Sequence, residues 1–183
     1  MFFCLMFSVN SGFSQEINET LDKKTRKKYE KKEKKRQKEE EQQKAKENLK
    51  TLLEEKRFVL EANNLSGRSG MQVPVSPTIN FFAVDSTSAM LQVGSFRGLG
   101  YNGVGGITDE GKITRYEITE TKGGFSVKIY VSSNLTSYTI FLSASPMASS
   151  TAKVSGLSGG VINFHGRIVP ETDSSVYEGQ KLY

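Results

Sequence analysis

Cysteine is nearly missing from this 183-residue chain: Cys4 is the only one. It lies inside the apolar run Met1–Phe7. Together with Ser8–Ser14 this run reads as a secretory signal over residues 1–14, ending in small residues at Gly12 and Ser14. The run is short and no Lys or Arg precedes it, the pattern of a truncated signal or of one whose start lies upstream. Cleavage after Ser14 removes Cys4, and with it any disulfide framework, zinc–thiolate site or cysteine nucleophile. Histidine is as scarce. A metal site around His165 alone would need carboxylates from afar, and none cluster in the sequence. No G-x-S-x-G elbow supports Ser-His-Asp chemistry, and no run approaches the ~20 apolar residues of a membrane-spanning helix. These gaps argue against an enzyme and against a cofactor.

Hydrophobic residues make up 36%, low for a compact enzyme, but the shortfall is local. Residues 16–57 hold 16 of the 25 Lys and Arg and 11 of the 20 Asp and Glu, so the whole net charge of +5 sits there. The basic balance describes an arm rather than a basic domain, and nucleic acid is not the expected partner. Residues 15–56 read as a charged helical arm. From Glu19 to Lys56 there is no Gly or Pro, and Lys, Glu, Gln, Arg, Ala and Leu dominate. Glu30 with Lys34, Glu33 with Arg36 and Glu40 with Lys44 stand at helical pair spacing. Tyr29 is the one sizeable apolar residue between Lys23 and Gln43, which disfavours a coiled coil. Ala45, Leu49, Leu52 and Leu53 share one helical face and can dock on the domain after them, leaving the preceding rod as a spacer or a contact surface for an envelope component.

From Arg57 the apolar period switches from helical to two, and residues 57–183 read as one β domain. The alternation is clearest at Phe125, Val127, Ile129 and Val131, and again at Tyr138, Ile140, Leu142 and Ala144. About eight strands are joined by short Gly, Ser and Asn turns, with no helical pattern of useful length between them. Pro74 and Pro77 mark an edge or a bend. An antiparallel meander must hide its edges; closure into a barrel does so, and a two-sheet sandwich is the alternative.

The densest glycine stretch, Leu91–Tyr116, holds seven glycines from Gly94 to Gly111. Gly98 to Gly103 matches G-x-G-x-x-G, but glycines continue where a dinucleotide site needs a helix. The stretch reads as a loop at a barrel mouth, with Arg97, Tyr101 and Asn102 as candidate ligand contacts. Thr108-Asp109-Glu110-Gly111 reads as a solvated turn leading into a strand at Lys112. His165 shares parity with Asn163 and Arg167, on the more polar face of its strand. The aromatics Tyr116, Tyr130, Tyr138 and Phe125 read as core or cross-strand packing.

Several segments resemble the domain-of-unknown-function 4251 family, secreted proteins of Gram-negative bacteria. They are Arg57–Ala62 after a helix, Asn80–Asp85, Ala89–Gly94, Gly100–Thr108 with Glu110–Ile113, Gly166–Pro170 and Val176–Gly179. The resemblance covers about residues 45–180. It implies a secreted, periplasmic or envelope protein with a barrel akin to lipocalins, and carries over no activity. The arm ahead of residue 45 is longer than the family's usual leading helix. The expectation is a non-catalytic barrel that binds a small apolar or amphipathic ligand, or an interaction protein that uses its charged helix.

Overall fold

The structure is a computed structural model describing residues 12–95, 102–156 and 160–181; the side chains of residues 12–22 and 24 lie outside that description. One helix, α1 (Gly12–Glu55), precedes nine strands: β1 (Arg57–Ser66), β2 (Gln72–Pro74), β3 (Phe81–Asp85), β4 (Ser88–Val93), β5 (Ile107–Thr121), β6 (Gly124–Ser133), β7 (Ser137–Ala144), β8 (Ser150–Ser155) and β9 (Val161–Pro170). The chain divides into two units between Gln43 and Lys44. In the first, every described side chain is exposed. Glu33 meets Arg36 at 2.6 Å, as its spacing predicts, while Glu30 takes Arg26 at 3.3 Å and Glu40 takes Arg36 at 3.6 Å. Such exposed pairs each add only ~0.2–0.5 kcal/mol to a helix.

The second unit is a closed barrel. The strands follow one another in order and all pair antiparallel; β1 then pairs with β9 to close eight of them. Closure excludes the sandwich. The short β2, which ends in Pro74, is an extra edge strand on the far half of β1. β1 serves three neighbours: Arg57–Glu61 pair with β3, Asn64–Ser66 with β2, and most of its length with β9. The β1–β9 register slips between Ala62 and Asn64, so Asn63 is an extra bulged residue. At that seam Gly166 faces Ala62, and a Cβ on it would stand 1.9 Å from the Glu61 carbonyl oxygen. Only glycine lets the two strands approach there.

The interior follows from the period-two pattern. Phe125, Val127, Ile129 and Val131 of β6 are buried, as are Tyr138, Ile140, Leu142 and Ala144 of β7. Phe58, Leu60, Phe82 and Phe164 fill the space between, the rings of Phe58 and Phe82 meeting edge-on at 6.3 Å. Eight strands leave just enough room for such side chains. One end of the barrel is closed by the last turns of α1: Leu49 and Leu53 belong to the same core, with Ala45 and Leu52 half-buried beside them. The Tyr116 hydroxyl donates to the Leu53 carbonyl at 2.8 Å, and Lys46 bonds to Glu120 while lying 5.9 Å from the Phe125 ring centre. Lys56, at φ +56°, ends the helix in the left-handed conformation that starts β1.

A smaller apolar cluster, Val59, Phe81, Met90 and Val169, lies on the outer face, with Val176 packed against it. After a 3-10 turn at Glu171–Asp173 the tail runs back over this face. It is tied down by Tyr177 N–H to the Thr78 carbonyl at 2.7 Å and Gln180 N–H to the Asn102 carbonyl at 2.8 Å.

Candidate functional site

At the end away from the last turns of α1, the described residues leave the barrel open. The ends of β1, β4 and β9 and the connection carrying β2 enclose a hollow of about 870 Å³ lined by Leu65, Met71, Val73, Val75, Ile79 and Val93, among others. A second hollow, of about 550 Å³, is lined mainly by Leu91, Val93, Ile107, Asp109, Leu135, Val161 and Ile162. The two share Val93, Val161 and Ile162, so they are lobes of one mouth. Both sizes fall in the range of small-molecule sites, ~300–1,000 Å³. Met71, Val73, Ile107 and Leu135 are among the most exposed large apolar residues described, and all four stand at this mouth. Exposed apolar surface is thus gathered at one place.

Asp109 interrupts the oily lining. It sits in β5 opposite Leu91, at the parity that turns Ile113 inward, and it is only 2% exposed. The solvated-turn reading of Asp109-Glu110 is therefore corrected: both residues lie within a strand that begins at Ile107, with their side chains on opposite faces. Glu110 points the other way and holds Lys181 at 2.5 Å. The Oδ2 of Asp109 and the hydroxyl of Tyr138 are buried, and neither has a hydrogen-bond partner among the described residues. Burial pushes the Asp109 carboxyl above the usual carboxylate range, while the nearby Ser133 and Tyr138 hydroxyls pull it back. Burial, then the Asp109 charge, push the Tyr138 hydroxyl upward.

Of the three residues expected at the mouth, Arg97 and Tyr101 lie outside the described residues. Asn102 is buried at 1% exposure, and its amide shapes the loop. Its Oδ1 accepts from the N–H groups of Val104 at 3.1 Å and Gly106 at 2.9 Å; its Nδ2 donates to the Thr108 hydroxyl at 3.1 Å and the Val93 carbonyl at 3.3 Å. Thr108 in turn donates to Gln92 Oε1 at 2.9 Å. Gln92, fully buried, also accepts from Gly179 N–H at 2.7 Å and donates to the carbonyls of Tyr177 at 2.8 Å and Ile79 at 3.2 Å. Every donor and lone pair of that amide is used, which fixes the rim against the tail. After Gly103 the chain enters β5 rather than a helix, so the G-x-G-x-x-G match lacks the context of a dinucleotide site.

His165 is half-buried on the outer face. Its Nε2 meets the Ser66 hydroxyl at 3.0 Å and its Nδ1 the Thr151 hydroxyl at 3.1 Å. Asn163 Nδ2 also donates to the Ser66 hydroxyl, at 3.1 Å. Hydroxyls, not carboxylates, hold the ring, so the arrangement lacks the acid of a catalytic triad. No group of three His, Cys, Asp or Glu suited to a metal occurs among the described residues, and no described helix is long and apolar enough to cross a membrane.

Residues 39–168 match the family model described as a domain of unknown function, DUF4251. The chain belongs to the DUF4251 family. The match spans the end of α1, the plugged end of the barrel and the mouth, and leaves the front of the arm outside. The crystal structure of a DUF4251 family protein from Bacteroides eggerthii DSM 20697, at 1.95 Å resolution, is similar in fold. Its TM-score is 0.58 at 24% identity, over 71% of this chain and 90% of that one. No curated protein matches the DUF4251 chain. The family is legible in the sequence, but Asp109 reads there as part of a turn; its only contrary signal is its place in register with Ile107 and Ile113.

Proposed function

We propose that this DUF4251 protein is a non-catalytic binding module of the periplasm or cell envelope, exported by the segment 1–14, that holds a small apolar or amphipathic ligand at the barrel mouth. The observation that carries the reading is the two-lobed apolar hollow above an otherwise filled interior. A ligand seated there would rest on Val93, Val161 and Ile162. Because the lower interior is packed, the site is a shallow bowl at one end and suits a compact or partly emergent molecule.

Titration with a neutral naphthalene fluorophore tests this. Val161→Trp, placed where the lobes meet, is expected to weaken probe binding at least ~10-fold, the equivalent of about 1.4 kcal/mol. Equal binding by both proteins, or no binding by the wild type, would refute the reading. Fractionation of cells expressing the full chain tests the location, with cytoplasmic recovery as the contrary result. A second role, for the arm as a spacer or contact surface, is favoured by the exposed, interleaved charges before Lys44. Loss of envelope association on deletion of residues 19–43 is its expected signature.

A further inference from the structure

The mouth contains a feature that a purely oily ligand would leave unanswered. Among the described residues, Asp109 is the one ionisable group lining the 550 Å³ lobe, and its Oδ2 is buried without a described partner. Lys181 is held by Glu110 on the opposite face of β5. A carboxylate withdrawn from water with no counter-ion is strongly disfavoured, and an apolar residue at this position would complete the lining at no such cost. The buried Tyr138 hydroxyl stands close to the same carboxyl. One acidic group thus stands in the wall of an apolar bowl, with a phenol hydroxyl close to it.

We propose that the ligand of this mouth is a cationic amphiphile: an apolar body on Leu91, Val93 and Ile162, and a protonated amine at one end that takes Asp109 as its counter-ion. The proposal rests on the binding reading above and adds the chemistry of the ligand's head. An ammonium supplies both the positive charge and the donors that the carboxylate lacks. In a site shielded from water such a charge-assisted bond is about twice as strong as a neutral one. An alcohol would supply a single donor. A carboxylate head would be repelled, and would raise the Asp109 carboxyl further.

The test uses the full chain at neutral pH and three ten-carbon probes, decylamine, decanol and decanoate, each competing with the naphthalene fluorophore. Decylamine is expected to bind at least ~10-fold more tightly than decanol, and decanoate more weakly than either. Asp109→Asn, which keeps the side chain's shape, is expected to bring decylamine within ~2-fold of decanol. Should that variant fail to fold, the order of the three probes on the wild type decides. Decanol binding as tightly as decylamine, or decanoate most tightly of all, would overturn the amine assignment while leaving the mouth a binding site. If neither the fluorophore nor any of the three binds, the mouth is not a ligand site and both readings fall.

Discussion

Asp109→Asn should make the empty protein more stable at neutral pH. The wild type buries a carboxyl at 2% exposure, with one oxygen that no described group satisfies. A buried acceptor left in this state costs roughly 1–3 kcal/mol, and a charged one more. Asparagine has the same outline and no charge, so the substitution creates no cavity and removes the ionic part of that cost. A gain of about 1–3 kcal/mol corresponds to a rise of roughly 3–12 °C in Tm for a unit of this size. The sign of the pH dependence follows from the raised carboxyl. A folded-state pKa above the unfolded value of ~3.9 means that the folded protein holds the proton more tightly. The stabilisation from that proton is complete below the unfolded value and is lost as pH rises through the folded one. Wild type and variant should therefore converge near pH ~4 and separate toward pH ~7.5. The assay is thermal melting by circular dichroism at half-unit pH intervals, on protein refolded from denaturant so that it carries nothing in the mouth. A variant less stable than the wild type at neutral pH, or a gap that does not change with pH, would refute the argument.

Other substitutions probe the frame. Leu53→Ala, at a fully buried position where α1 closes the barrel, should cost ~2–5 kcal/mol in urea unfolding. Gly166→Ala forces a Cβ to 1.9 Å from the Glu61 carbonyl and should cost at least ~1–3 kcal/mol, or prevent folding. A chain that starts at Lys44 should melt cooperatively within a few degrees of the full protein, because the first unit contributes only exposed side chains among those described. Loss of the cooperative transition would show that the rod is part of the fold.

The barrel was legible wherever side chains alternate cleanly, and β6 and β7 show why. Each turns four apolar residues inward and places mostly Ser, Lys or Thr outward, with Tyr130 and Phe141 the exceptions, so periodicity assigns the faces. The plug at the closed end was legible too, since Leu49 and Leu53 stand on one face of an otherwise polar helix. The seam between β1 and β9 was not, because it joins positions 97 to 112 residues apart in sequence and no local pattern reports such a pairing. The run Thr108–Gly111 was misread for a different reason. Asp and Gly are depleted in strands and enriched in turns, so composition points to a turn. Here Gly111 serves packing: its Cβ would lie 2.7 Å from Val131 Cγ1, a gap that only glycine leaves open between β5 and β6. Asp109 is drawn inside by strand register against its own preference. The amide of Asn102 was equally hard to place, since its partners are backbone groups whose positions depend on the finished loop.

The helix that stoppers one end of the barrel makes the molecule a cul-de-sac. The filled interior and the Leu49 and Leu53 plug leave no through-path among the described residues. A ligand held at the mouth, as proposed, would have to enter and leave by the same doorway.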